Sequence, residues 1–313
     1  MTDRVARIHA VRRPWCLLLS AKLLFLGLLS QPVSATITLS QANGESLTLP
    51  APSKRIVTLA PNLAELVFAA GAGDHLQAVV EYSDYPAQVS QIPRVGNAFR
   101  IDLERVVELK PDLVIGWKSG NPQTALQKLT QLGLTVWQIE ITRPEEIADA
   151  VENIARAAGT LTRGTEVASH LRKRLGLLKR QNAGKTPVDF FYQIATHPLY
   201  TINGQHIISY SLEICGGRNV FANLPTLAPQ VSRESVILAN PRAIIAPKMA
   251  EYPQALKVWE DWPQLQAVHN QALFYLPADE ISRAAPRLLD SIELACTLLD
   301  KIRKSNSQQD NNL

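Results

Sequence analysis

Two glutamates occupy matching positions in a pattern that occurs twice in the chain, about 130 residues apart. Glu104 and Glu234 are each followed, seven residues later, by a proline (Pro111 or Pro241) and then by an apolar run. Each copy predicts a short amphipathic helix that ends before the proline and leads into a buried strand. A carboxylate in the first turn of a helix complements the helix dipole. On two equivalent lobes, such carboxylates could instead dock basic pockets of a two-fold symmetric partner.

Polar and aromatic residues also cluster in loops that follow predicted strands. Residues 82–86 read Tyr-Ser-Asp-Tyr-Pro, and Trp117, Tyr200 and 279–283 flank other strands. In α/β sheets, ligands lie outside the carboxyl ends of the strands. These loops could therefore offer flat apolar faces and hydrogen bonds to a large organic ligand, and a packed surface turn is the alternative for 82–86.

No catalytic signature is present in the sequence. It contains no Gly-x-Ser-x-Gly elbow, no phosphate-binding glycine loop and no His-Glu-x-x-His. A secreted hydrolase would need a nucleophile and a base that no segment arranges. A zinc or manganese site would draw on His197 and His206, whose spacing is not specific. We predict no enzyme activity, no resident metal and no cofactor.

The first 35 residues have the layout of an export signal. Arginines at positions 4, 7, 12 and 13 precede a mostly apolar run at 17–29, and Val33-Ser34-Ala35 offers small residues for cleavage. A membrane anchor is disfavoured because the apolar run is short and contains Lys22. We predict export to the periplasm with the signal removed near Ala35.

Removal of the signal changes the charge and the cysteine count. The segment holds five of the 32 basic residues and one of the 28 acidic residues, which leaves 27 of each. A neutral chain gives no support for nucleic-acid binding. Cys16 lies in the signal, so Cys215 and Cys296 remain as an even pair. In an oxidising compartment a disulfide is the natural hypothesis, with two buried thiols as the alternative.

Strands and helices alternate in both halves of the remaining chain. This predicts an α/β fold with two Rossmann-like lobes of mostly parallel sheet, joined by one long helix, with a ligand cleft between them. We place the N-terminal lobe at 36–143, the C-terminal lobe at 184–304 and a disordered polar tail at 305–313. The linking helical stretch, 144–183, is predicted to be interrupted near 159–164.

Several segments resemble a known family of binding proteins. The matching segments are 55–72, 82–86, 103–117, 213–219, 229–234 and 282–287. They are similar to periplasmic binding proteins that deliver metal chelates to ATP-driven importers, and within these to the cobalamin (vitamin B12) binders. The resemblance implies two lobes with little hinge motion, a corrinoid in the cleft and a membrane permease as partner.

The resemblance also assigns roles to residues. Tyr82 and Arg283 match ligand-contacting residues, Tyr200 matches a phenylalanine that faces the ligand, and Cys215 and Cys296 match a disulfide. Glu104 and Glu234 match two glutamates that dock on permease arginines. The predicted ligand-binding residues are Tyr82, Phe99, Trp117, Tyr200, Asp279, Glu280, Ile281, Ser282 and Arg283.

Two positions depart from the family pattern. Ala98 and Ala228 stand where the cobalamin binders carry tryptophans that contact the corrin, and Phe99 could replace the first by a shift of one place. A changed pocket leaves open an iron–siderophore or haem ligand on the same scaffold. An anionic siderophore calls for cleft arginines, for which Arg100, Arg233 and Arg283 are the candidates.

Overall fold

The computed structural model describes residues 36–310, with side chains described through Ser305. The predicted export signal, 1–35, and residues 311–313 lie outside this range. Within the described residues, no helix has both the length and the apolar character needed to cross a membrane.

The N-terminal lobe is built from alternating strands and helices around a parallel sheet. Its elements in chain order are β1 (Ile37–Ser40), β2 (Ser46–Leu49), β3 (Ile56–Thr58), α1 (Pro61–Ala69), β4 (Leu76–Ala78), β5 (Gly96–Asn97), β6 (Arg100–Ile101), α2 (Leu103–Glu108), β7 (Leu113–Trp117), α3 (Gln123–Gln131) and β8 (Val136–Ile139). Strands β4, β3, β7 and β8 form the sheet in that order, and every neighbouring pair is parallel. β3 and β7 are buried almost throughout because helices cover both faces of the sheet.

An antiparallel hairpin, β1–β2, precedes this sheet and was not predicted. Its signal is present in the sequence, since Asn43-Gly44 separates two alternating runs. Leu39 and Leu49 are its buried contacts with the core.

Two helices occupy the predicted linking stretch: α4 (Glu146–Ala158) and α5 (Leu161–Asn182). They break at Gly159, whose φ of 73° ends α4 in the left-handed conformation, inside the predicted interruption. α4 packs on α1 of the N-terminal lobe, and α5 packs on α4. A Cβ at Gly164 would lie 2.1 Å from the Cβ of Ala155, so glycine permits this close helix contact. The 22-residue α5 is the long helix that joins the lobes.

The C-terminal lobe repeats the plan of the first. Its elements are β9 (Val188–Tyr192), β10 (Ala195–Thr196), β11 (Leu199–Tyr200), α6 (Ile207–Ile214), β12 (Gly217–Asn219), α7 (Arg233–Ala239), β13 (Ala243–Lys248), α8 (Gln266–His269), β14 (Leu273–Pro277), α9 (Ala278–Ile281) and α10 (Leu288–Asp310). The parallel sheet has the order β12, β9, β13, β14. The predicted α/β fold with two similar lobes is confirmed.

The duplicated sequence pattern corresponds to the same place in each sheet. α2 leads into β7 and α7 leads into β13, and each of these strands is third in its sheet order. The residue-by-residue burial over 101–109 is the same as that over 231–239. The repeat is therefore structural as well as sequential.

A disulfide joins Cys215, at the end of α6, to Cys296 in α10. The Cα atoms are 4.6 Å apart, and the bond closes a loop with a sequence separation of 81 residues. Since the bond restricts the unfolded chain, it contributes typically ~2–4 kcal/mol to stability. The predicted disulfide is confirmed, and Cys215 and Cys296 are therefore not free thiols.

The last helix, α10, extends into the predicted tail. It begins at Leu288, just after a turn that contains Pro286. It continues to Asp310, into the segment from 305 where we predicted disorder. Residues 303–310 contain neither proline nor glycine, so no residue type there ends the helix.

Candidate functional site

Two aromatic side chains project from the carboxyl edge of the N-terminal sheet. Tyr82 follows β4 and is 76% exposed, and Phe99 follows β5 and is 74% exposed. The backbone N–H of Val95 donates to the carbonyl of Val79 at 3.0 Å, which holds the β5 segment beside the end of β4. The structure thus brings two of the predicted ligand residues to one edge.

Tyr82 is directed outward by an unusual backbone conformation. Its φ of 64° lies in the left-handed region, which a tyrosine rarely adopts without surrounding support. That support comes from the next residue, because Ser83 is buried and its carbonyl accepts a hydrogen bond from Arg94 Nη2 at 2.8 Å. The ring is therefore exposed on an anchored loop.

Phe99 lies at the tip of the β5–β6 hairpin. The Asn97 side-chain oxygen accepts hydrogen bonds from the backbone N–H groups of Phe99 (3.0 Å) and Arg100 (2.9 Å). Asn121 Nδ2 donates to the carbonyls of Ala98 (2.9 Å) and Leu59 (2.8 Å), which fastens the hairpin to the end of β3. An exposed ring on a braced turn is suited to stacking against a flat ligand.

Trp117, the last residue of β7, is packed more closely than these two rings. It is half-buried, and its indole N–H donates to Glu140 at 3.1 Å. Ser119 Oγ donates to the same carboxylate oxygen at 2.9 Å. Any contact of Trp117 with a ligand would therefore use the ring carbons, since the indole N–H is already bonded to Glu140.

Tyr200, from the C-terminal lobe, lies on β11 in a short hairpin. It pairs with Ala195 in β10 and forms an isolated bridge with Gln230 on its other side. Its side chain is half-buried, so it presents only part of the ring. Ala228, two residues before Gln230, is exposed.

A cavity of about 680 Å³ lies at the carboxyl edge of the C-terminal sheet. It is lined by the segments that follow β9 and β13, including Gln193, His197, Met249, Tyr252, Gln254 and Val258. Trp259 Nε1 donates to Gln193 Oε1 at 2.7 Å, and Gln193 Nε2 donates to the carbonyl of Ala255 at 2.9 Å, so the wall is braced. None of the nine predicted ligand residues lines this cavity.

Our sequence reasoning missed Met249 and the 64% exposed Tyr252. Both lie in the loop that follows β13. Because ligands of α/β sheets lie outside the carboxyl ends of strands, the position of this loop was sufficient to predict it as part of the ligand site.

Residues 279–283 follow β14 and begin within the short α9. Asp279 is exposed, Glu280 accepts a hydrogen bond from Ser291 at 3.2 Å, and Ser282 is exposed. Ile281 is fully buried in the core, because α9 turns that position inward, so it is not at the cleft surface.

Arg283 reaches from the C-terminal lobe to carboxylates of the N-terminal lobe. Its guanidinium donates to Asp84 at 2.6 Å and to Glu65 at 3.1 Å, as well as to Asp279 at 2.8 Å. Its charge is thus already matched by three carboxylates. That arrangement disfavours a role in binding an anionic siderophore.

Glu104 and Glu234 are both exposed in the first turns of α2 and α7. Asp102 caps α2 through the N–H of Arg105 at 3.0 Å, and Ser232 caps α7 in the same way. The pKa of Glu234 is held below its usual value by its own backbone N–H and by the Ser232 hydroxyl. A helix that precedes a strand of a parallel sheet begins at the carboxyl edge of that sheet. α2 and α7 both do so, and Glu104 and Glu234 therefore lie toward the cleft side.

The histidines do not assemble a metal centre among the residues that the structure describes. His206 caps α6 by accepting the N–H of Ile208 at 3.2 Å, and burial lowers its pKa to about 4. His197 lies on the cavity wall, and the described residues contain no group of three or more His, Cys, Asp or Glu arranged to hold a metal ion.

Comparison of the sequence with protein families gives one match to most of the folded chain. The periplasmic binding protein family matches residues 56–280. A vitamin B12-binding protein of Vibrio cholerae is 39% identical over 259 residues, covering 82% of this chain and 93% of its own. A vitamin B12-binding protein of Photorhabdus laumondii is 38% identical over 247 residues, covering 79% and 88%.

Solved structures agree with these matches. The crystal structure of the periplasmic vitamin B12 binding protein BtuF of Vibrio cholerae has a TM-score of 0.76 at 39% identity, over 81% of this chain and 99% of that one. The periplasmic heme-binding protein RhuT from Roseiflexus sp. RS-1 has a TM-score of 0.70 at 20% identity, over 80% and 99%. The second match shows a shared fold alone.

Proposed function

This chain belongs to the periplasmic binding protein family, and we propose that it captures vitamin B12 or a close corrinoid in the periplasm. The observation that carries the proposal is 39% identity to a vitamin B12-binding protein over 82% of the chain. Export with cleavage near Ala35 and release of the mature chain into the periplasm belong to the same proposal.

The geometry of the two cleft edges supports a large, flat ligand. Tyr82 and Phe99 are exposed on the N-terminal side, and Met249 and Tyr252 line the cavity on the C-terminal side. Tyr200 pairs with Ala195 of the same cavity wall. A corrinoid offers an extended ring with peripheral amides, which stacks on aromatic faces and accepts or donates hydrogen bonds. We assign the apolar contacts to these residues.

Polar specificity comes from the 279–283 segment. Asp279, 60% exposed in its side chain, can accept from an amide N–H, and Glu280 and Ser282 lie beside it. Trp117 is assigned an apolar contact through its ring carbons. We propose that the corrinoid is transported cargo and not a cofactor, so the protein leaves it chemically unchanged. Corrinoid released from the complex by denaturation should therefore have the same absorption spectrum as corrinoid that was never bound.

The exposed carboxylates of Glu104 and Glu234 serve delivery in this proposal. They occupy equivalent places on the two lobes and lie toward the cleft side. A two-fold symmetric permease of an ATP-driven importer with basic pockets would meet both at once. Neither residue is placed in the ligand site, so their loss should leave capture intact.

Haem is the second candidate for two reasons. Ala98 and Ala228 stand where the resemblance places tryptophans that stack on the corrin. A protein with a related fold is a heme-binding protein. A thermal-shift panel separates the candidates, since a ligand that binds only the native state raises the unfolding temperature. With equal concentrations of cyanocobalamin, haemin and a ferric siderophore, we expect only the corrinoid to raise it. A rise with haemin alone would contradict the corrinoid proposal and favour haem.

A further inference from the structure

A buried carboxylate lies where the two lobes meet beside the cleft. Glu65, on α1 of the N-terminal lobe, has a side chain only 2% exposed. Arg287 donates to it through Nε at 3.0 Å and Nη2 at 2.7 Å, and Arg283 Nη1 donates to it at 3.1 Å. Both arginines belong to the C-terminal lobe, just before α10. Three charged hydrogen bonds therefore cross between the lobes to one carboxylate.

The same arginines also hold the loop that carries Tyr82. Arg283 Nη1 donates to Asp84 at 2.6 Å, and its Nη2 donates to the carbonyl of Tyr82 at 3.1 Å. The guanidinium of Arg287 lies 4.0 Å from the centroid of the Tyr85 ring. We name Glu65, Asp84, Asp279, Arg283 and Arg287 the inter-lobe ionic cluster.

The cluster is buried on one side and open on the other. The arginine side chains are 12% and 17% exposed, whereas Asp84 is 56% exposed. Burial opposes ionisation of Asp84, yet the hydrogen bond and charge of Arg283 hold its pKa below the usual value. An unpaired charge at the position of Glu65 would be costly, so separation of the lobes there is strongly opposed.

The lobes are also connected by an apolar core and by a polar contact away from the inter-lobe ionic cluster. A continuous cluster of buried apolar residues runs from α1 and α4 through α5 to α6 and α10. A second polar contact, Arg143 Nη2 to the Tyr210 hydroxyl at 3.1 Å, joins an exposed arginine to α6. The apolar core resists sliding of the lobes along α5. Among the described side-chain contacts, only the inter-lobe ionic cluster joins the Tyr82 loop to the opposite lobe.

We propose that Glu65 is a positioning residue that sets the width of the ligand cleft without touching the ligand. Through Arg287 and Arg283 it fixes α10 against α1 and holds the Tyr82 loop at a defined distance from the 279–283 segment. A cleft of fixed width needs little ordering when the ligand binds, and this preserves affinity. The effect on affinity depends on the proposed function, whereas the effect on lobe separation does not.

The test measures lobe separation and affinity in the same variants. Spin labels at Leu132→Cys and Leu238→Cys, exposed sites on different lobes, report the inter-lobe distance of the unliganded protein by double electron–electron resonance. Glu65→Gln keeps the shape of the side chain and removes its charge. Glu293→Gln is the matched control, because Glu293 pairs with Arg174 at 2.6 Å between α5 and α10, away from the cleft.

We expect Glu65→Gln to broaden the distance distribution and to weaken cyanocobalamin binding by about tenfold or more, while Glu293→Gln changes neither. Asp84→Asn, at the exposed end of the cluster, should give a smaller change of the same sign and keeps the protein folded if Glu65→Gln does not. Unchanged distances in both variants, with folding verified by circular dichroism, would overturn the proposal. Broadened distances in a protein that binds no corrinoid would support the positioning role and refute the proposed ligand instead.

Discussion

Replacement of Phe99 by alanine should weaken corrinoid binding without destabilising the protein. The side chain is 74% exposed, so folding gains little from it. A large aromatic side chain has about 200 Å² to bury, which leaves about 150 Å² free here, and one ring face is roughly half of that. Burial of about 75 Å² against the ligand is worth about 2 kcal/mol. The expected loss of affinity is roughly 25-fold.

The assay is calorimetric titration of the chain from Thr36 onward with cyanocobalamin, accompanied by thermal unfolding of the free protein. Leu161→Ala is the matched control, because Leu161 is 45% exposed at the start of α5, remote from both cleft edges. We expect unchanged unfolding temperatures in both variants and a weakened affinity only in Phe99→Ala. A change below about twofold in Phe99→Ala would refute the argument that an exposed ring on a braced turn is a ligand contact.

Glu104→Ala combined with Glu234→Ala should keep corrinoid binding and abolish uptake by cells that depend on this protein; intact uptake would refute the docking role. Cys215→Ser with Cys296→Ser should lower the free energy of unfolding by ~2–4 kcal/mol in urea titrations, and equal stability would contradict this. His206 has its pKa lowered by burial to about 4, from 6.5. The unfolded chain thus binds more protons between these pH values, so stability should rise with pH there by about 3 kcal/mol. His206→Asn, which can still cap α6, should flatten that rise in urea titrations; an unaltered slope would exclude His206 as its source.

The parts of the fold that were predictable depend on local patterns. The apolar runs after Pro111 and Pro241 are long enough to identify β7 and β13, and Gly159 ends α4 where a left-handed residue is needed. The pairing of Cys215 with Cys296 followed from an even count and from the family resemblance, and the structure confirms it.

The parts that were not predictable depend on contacts between distant residues. Nothing in the neighbourhood of Glu65 indicates that two arginines about 220 positions later in the chain will surround it. For the same reason, the sequence predicted Arg283 as a ligand-binding residue but could not show that Asp84 and Glu65 already match its charge. The cavity near Tyr252 likewise forms only when the segments after β9 and β13 come together.

The most direct test of corrinoid capture is calorimetric titration of the unmodified mature chain with cyanocobalamin. Our account predicts one site per chain with a dissociation constant below about 1 µM. Absence of detectable corrinoid binding by a protein that is folded and carries its disulfide would contradict it.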